Sequence, residues 1–350
     1  MRRIIISIAI VVLTAWSQSV TAEVNLTAET ASPGGTTFLS PSHLVEVAAT
    51  HDIASIQLTE GQTLTNSVQN VAEGKTDIAA TPFLLPFLLK RAVGPYGSLS
   101  PEEGAELAGN LRVMMPYAIG YFFLSAYESK NIAGWEDLRE RKIYNGPARG
   151  GALNMARSIL NIASGLKEGE DYEGVQVNWG KGAALVISGE PDALIVPMNF
   201  GGTSALAIGS AGRMISWSVP KATFESPAMQ TYMAMPGQAP FTTPVADLAG
   251  TMGPNWQFSS EDEIFRGVAM IGGTVVNKDM DSALVYELTA TYIATLDGLK
   301  SKAPYGKTVG FDFPMQGMCG ANPLKYHPAA ARAWRDAGFE VDDCAIAPGE

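Results

Sequence analysis

Cationic residues, histidine and cysteine are all scarce in this chain of 350 residues, which carries 24 Lys and Arg against 35 Asp and Glu, three His and two Cys. The formal net charge of −11 argues against nucleic acid and anionic membrane surfaces as partners, since both select clustered positive charge. The histidines are His43, His51 and His327, with no HExxH pair and no Cys–His cluster among them. The usual zinc spacings are therefore excluded, and no cofactor is expected. GxSxG elbows, GxxxxGKS/T loops and GxGxxG fingerprints are also missing, which removes the common hydrolase, NTPase and dinucleotide signatures. Beyond the first 22 residues no apolar run reaches the roughly 18 residues of a spanning helix, so the chain is not expected to be embedded in a membrane.

What is present begins with Met1-Arg2-Arg3, an apolar run from Ile4 to Trp16, and the small-residue site Val20-Thr21-Ala22. That pattern predicts a signal peptide cleaved after Ala22, and export to the periplasm. No cysteine stands beside the cleavage site, so a lipid anchor is not expected. Two cations lie in the signal, leaving 22 against 35 acids and a mature balance of −13. Cys319 and Cys344, 25 positions apart in an exported chain, predict a disulfide that stabilises by about 3 kcal/mol. A metal pair or a redox pair is the competing reading, without CxxC spacing to favour it.

The mature 328 residues suit two domains. Strand, glycine turn and helix alternate from Val24 to Thr81, and again from Lys142 to Val196, which implies parallel sheets with helices on their faces. Two strand-like apolar stretches, Val113–Ser125 and Val268–Val276, separate these series from the rest. If both cross between lobes, residues 23–122 and 268–350 build one lobe and 123–267 the other, with a cleft between them. Residues 219–262, rich in proline, read as a structured linker or strand–loop region.

The first glycine turn, Ala31-Ser32-Pro33-Gly34-Gly35-Thr36-Thr37, enters a helix-like stretch, where backbone N–H groups and hydroxyls suit an anion. A plain strand-to-helix turn is the alternative for those residues alone. Several segments in order then resemble the TAXI family of solute receptors, the periplasmic subunits of one class of TRAP transporters. They are Ser32-Pro33-Gly34-Gly35-Thr36, Glu73-Gly74-Lys75-Thr76-Asp77-Ile78-Ala79, Gly146-Pro147 with Gly150-Gly151, and Gly189-Glu190-Pro191-Asp192-Ala193. Leu284-Val285-Tyr286-Glu287-Leu288 and Lys325-Tyr326-His327-Pro328-Ala329-Ala330 complete the set.

The resemblance implies a type II periplasmic-binding-protein fold, α/β in both lobes. It further implies a small carboxylate or amino-acid ligand and an inner-membrane TRAP permease as partner. A monomer is expected. The chain departs from the family at Gly61-Gln62-Thr63-Leu64, and at Gly150-Gly151-Ala152, where hydroxyl donors are replaced and Arg149 precedes. Arg149 has a rigid fork of donors that matches a carboxylate or sulfonate, and is the sharpest candidate ligand contact. Gly150 joins it, with Ser32, Gly34, Gly35, Thr36 and Thr37 from the first turn. Thr63, Thr81 and Tyr117 are read as standing at the ends of elements that face the cleft. Asn199 and Phe200 follow a strand at its C-terminal edge, where open α/β sheets bind ligands. An ABC-type binding protein and a periplasmic sensor module remain open as alternatives on the same fold. A hydrolase or transferase lacks any nucleophile–base pair to support it.

Overall fold

The computed structural model describes residues 24–307, 310–311, 318–319 and 324–348, so the predicted signal peptide lies outside the described residues. The chain first forms β1 (Asn25–Glu29), α1 (Thr36–Thr50), β2 (Ser55–Thr59), α2 (Leu64–Ala72), β3 (Ile78–Pro82), α3 (Leu84–Lys90), α4 (Pro101–Gly109) and β4 (Leu111–Phe122). Its middle supplies β5 (Leu124–Tyr127), β6 (Lys142–Tyr144), α5 (Gly151–Ser164), β7 (Glu173–Val175), α6 (Trp179–Ile187), β8 (Ala193–Leu194), α7 (Thr203–Ala211) and β9 (Met214–Trp217). There follow α8 (Lys221–Phe224), α9 (Pro227–Met233), β10 (Gln238–Pro244), α10 (Val245–Leu248), β11 (Trp256–Ser259) and β12 (Ile264–Asn277). The last described elements are α11 (Ser282–Ala294), α12 (Leu296–Ser301), β13 (Lys325–Tyr326) and α13 (Pro328–Asp336).

One sheet has the order β13-β4-β12-β3-β1-β2, with β10 paired to β12, and the other β11-β9-β5-β8-β6-β7. The two orders are the same pattern written twice. In each, a first strand lies between two parallel neighbours, β1 between β2 and β3 and β6 between β7 and β8. In each, the next strand inward is antiparallel to both of its neighbours and has just arrived from the other sheet. That strand is β12, between β3 and β4, in the first sheet and β5, between β8 and β9, in the second. Two α/β lobes joined by crossing strands form the type II arrangement.

The apolar run Val113–Ser125 is not one strand, because it changes sheet at Phe123. Phe123 is itself sealed among Phe200, Phe258 and Phe265. Within the proline-rich stretch, β10 lies antiparallel on β12 over seven residues. It therefore adds a strand to the first sheet. Cys319 and Cys344 form the expected disulfide, with Cα atoms 5.2 Å apart.

Behind the first glycine turn, α1 packs on α11 and α12 through a buried polar seam. Ser40 Oγ and Tyr292 Oη are 2.8 Å apart, and His43 Nε2 lies 2.9 Å from Thr295 Oγ1. Burial, then the positive Lys302 nearby, pushes the His43 pKa down to about 4, against a smaller opposing pull from Glu46. The unfolded chain takes up that proton from about pH 6.5 downward and the folded chain does not, so stability falls as pH drops through this window. Between pH 7.5 and 5 the loss traceable to His43 is at most about 2 kcal/mol, and less once solvent screening is counted. Urea midpoints at those two pH values should diverge less in His43→Gln than in wild type, and equal divergence would remove His43 from the account.

Candidate functional site between the lobes

The three parallel strands β1, β2 and β3 of the first sheet and β6, β7 and β8 of the second each end at a turn that leads into a helix, and the two sets of turns meet. After β1 the chain passes exposed Ser32 and Gly34, whose φ of 108° an L-residue would resist, and reaches Gly35 at the N-cap of α1. Gly35 lends no side-chain cap. Among the described residues no acceptor takes the N–H of Thr36 or Thr37, so the first turn of a 15-residue helix presents free donors. Buried Thr36 is anchored by its hydroxyl, which donates to the Ile119 carbonyl at 3.3 Å, and the Thr37 carbonyl accepts from Thr30 Oγ1. The turn after β2 lies alongside: Gln62 N–H donates to Thr30 O at 2.8 Å, and Thr63 is the exposed, uncapping N-cap of α2.

The second lobe repeats the device. Gly150, φ 111°, is the N-cap of α5 and again supplies no side-chain cap. The N–H groups of Gly151, Ala152 and Leu153 have no acceptor among the described residues. Arg149 is exposed and makes no ion pair there. The turn is held from behind by buried Asn145, which donates to Glu168 Oε2 at 2.6 Å and accepts from Gln176 Nε2 at 2.8 Å. Arg157, also bonded to Glu168, holds that carboxyl below the usual range against the cost of its burial, and Asn145 and Gln176 add to the effect. These four residues escaped the sequence reading. Asn145 follows β6, Arg157 lies on α5, Glu168 lies between α5 and β7, and Gln176 follows β7, so no local spacing joins them.

The lobes touch at these turns. A β-carbon at Gly151 would sit 3.4 Å from Leu84 Cδ2, at the start of α3, and 3.5 Å from Met270 Cε on β12. Ile119, whose carbonyl anchors Thr36, packs against the same cluster as Leu84 and Met270. The uncapped ends of α1 and α5 therefore share an apolar floor. A second bridge joins Tyr121 to Met198, with N–H···O distances of 2.9 and 3.1 Å.

The remaining candidates are dispersed. Thr81 is fully buried on β3 opposite Gly273, its hydroxyl without a partner among the described residues. Tyr117 lies in the middle of β4, not at an element end; it is fully buried and its hydroxyl donates to Gly273 O at 3.2 Å. Burial pushes its phenol well up. Asn199 follows β8 with its Oδ1 buried and unpartnered among the described residues. Phe200 is packed into an aromatic cluster, 5.2 Å from the Tyr121 ring and 5.7 Å from Phe123.

Across the connecting residues 30–35, 60–63, 83, 145–150, 176–178 and 195–202, Arg149 is the one cation and Glu60 the one acid. That composition offers hydrogen-bond donors to an anion and no general base within the second-lobe turns.

No protein-family model matches the chain, and no curated protein matches it. Among solved structures, a protein from Bordetella bronchiseptica RB50 superposes with a TM-score of 0.54 at 11% identity, over 91% of this chain and 99% of its own. A periplasmic sulfonate-binding protein of an ABC transporter from Methylobacillus flagellatus KT gives 0.44 at 14% identity, over 80% of this chain and 70% of its own. A TRAP periplasmic solute binding protein from Desulfovibrio salexigens with bound orotic acid gives 0.45 at 9% identity, over 82% and 81%. At these identities the likeness is one of fold.

Proposed function

We propose that the chain is an extracytoplasmic solute-binding protein that captures a small organic anion between its lobes and delivers it to a TRAP-type permease. One observation carries this reading: two uncapped helix N-termini, α1 and α5, each entered through a positive-φ glycine, stand at facing edges of two sheets with the same strand order. Each end concentrates partial positive charge and free N–H groups. An anion that reaches both is bound more tightly by the closed form, so capture and closure are one equilibrium.

The lobes in this reading are residues 23–122 with 268–350, and 123–267, except that β10 and the first residues of β12 within the middle segment belong to the first sheet. Among the described residues no helix is long and apolar enough to cross a membrane, which agrees with a periplasmic receptor working beside a separate permease. The TRAP assignment rests on the ordered TAXI-like motifs.

Native mass spectrometry of the protein purified without denaturation should show an added small-molecule mass, and small-angle scattering should give a smaller radius of gyration with that molecule than without. No bound mass and an unchanged radius across a panel of carboxylates, sulfonates and amino acids would sink the proposal.

A further inference from the structure

We infer that Trp179 is the aromatic wall of the anion site, and that the solute is a carboxylate with a planar body, stacked on the indole, in place of a short flexible diacid. This rests on the capture reading above. Trp179 is 45% exposed, whereas Trp135, Trp256 and Trp334 are each at most 3% exposed. It opens α6 after β7, one of the two edge strands of the second sheet, and its ring lies over the turn after β6.

Two glycines make that position. A β-carbon at Gly146 would lie 3.2 Å from Trp179 Cη2 and 3.7 Å from Cζ2, so the indole rests directly on the backbone that leads to Arg149. One helical turn further on, any side chain at Gly182 would collide with the Tyr144 hydroxyl. Tyr144, two residues before Gly146, is 3% exposed, and its hydroxyl has no partner among the described residues. Its ring lies against α6 at Gly182, while the indole lies against the turn at Gly146. A platform held this way loses little freedom on binding and offers a flat apolar face. A carboxylate placed on Arg149 and the α5 N-terminus would leave its body on that face. No acid in the second-lobe turns opposes it.

The test titrates the mature chain calorimetrically with benzoate and phenylacetate, and with succinate and 2-oxoglutarate, in wild type, Trp179→Ala and Trp179→Phe. Wild type should prefer the aromatic acids, and Trp179→Ala should lose about tenfold or more for them, the scale of one aromatic contact. Aliphatic acids should change less than about threefold, and Trp179→Phe should keep most of the aromatic affinity. Benzoate should also shield tryptophan emission from acrylamide in wild type, a readout that needs no variant to fold. Equal losses for both acid classes, or tight aliphatic binding with no aromatic binding, would overturn the inference and leave the capture reading standing. If no acid of either class binds, this inference is overturned, while the capture reading stands or falls on the native mass spectrum and the scattering panel.

Discussion

Arg149→Ala is expected to weaken binding of the captured anion by roughly 10- to 150-fold, with no change in thermal stability. The magnitude is that of one charge-assisted hydrogen-bonded contact, about 1.5–3 kcal/mol. Its physical basis is the company Arg149 keeps. It is the only cation in the second-lobe turns, it forms no ion pair among the described residues, and Gly150 beside it has open space where a side chain would stand. A guanidinium with no carboxylate to leave gives up only water when an anion arrives. Arg149→Lys should restore a minor part of the loss, because an ammonium cannot make two parallel hydrogen bonds to one carboxylate. Calorimetric titration with the molecule identified by native mass spectrometry measures both variants. An alanine variant within about threefold of wild type, well under the roughly 1.4 kcal/mol of a tenfold change, would leave the helix N-termini as the whole anion site.

That residue was legible because glycine on one side and a strand on the other announce a βα turn, and the turn falls where the pattern says it should. The units β1–α1 and β6–α5 were readable for the same reason: their strands are short and a positive-φ glycine stands in each turn, although only α5 has a clear apolar face, while α1 mixes buried polar and apolar residues and contains Pro41. The run Val113–Ser125 was readable as a stretch that crosses between lobes, but not as two strands. Tyr121-Phe122-Phe123-Leu124 is one uninterrupted apolar run, and hydrophobicity reports that a residue is buried without reporting in which sheet. Tyr117 has the same history: a phenol in such a run reads equally as a polar tip or as core, and only the opposing Gly273 carbonyl decides. The β10–β12 pairing depends on partners such as Gln238 and Met270, which no local window contains. Trp179 was hidden for a related reason, since its position follows from the absence of side chains at Gly146, in the turn after β6, and at Gly182, on α6.

Gly273→Ala is expected to cost about 3 kcal/mol or more, at the upper end of what overpacking a well-filled core produces. Gly272 and Gly273 lie on β12, between β3 and β4, in the middle of the first sheet. A β-carbon at Gly273 would come within 2.5 Å of the Met115 carbonyl oxygen and 2.8 Å of Phe83 Cζ. At Gly272 the obstacles are the Thr81 carbonyl oxygen at 2.6 Å and Ile119 Cδ1 at 2.5 Å. Side chains rotate away from an added methyl group, but a ladder carbonyl moves only if the strands part. The strain therefore falls on the strand that returns the chain from the second lobe, next to Ile119 and the floor shared by both helix ends. The melting temperature should drop by at least about 4 °C, taking roughly 1.5 °C per kcal/mol from about 2.1 cal/mol/K of unfolding entropy per residue in a chain of this length. Gly109→Ala is the internal control: it ends α4, nothing lies within 4 Å of its β-position, and alanine there should be neutral or mildly stabilising by up to about 1 kcal/mol. Scanning calorimetry that found the two variants within about 1 kcal/mol of each other would mean that β12 yields more freely than its two carbonyl contacts allow.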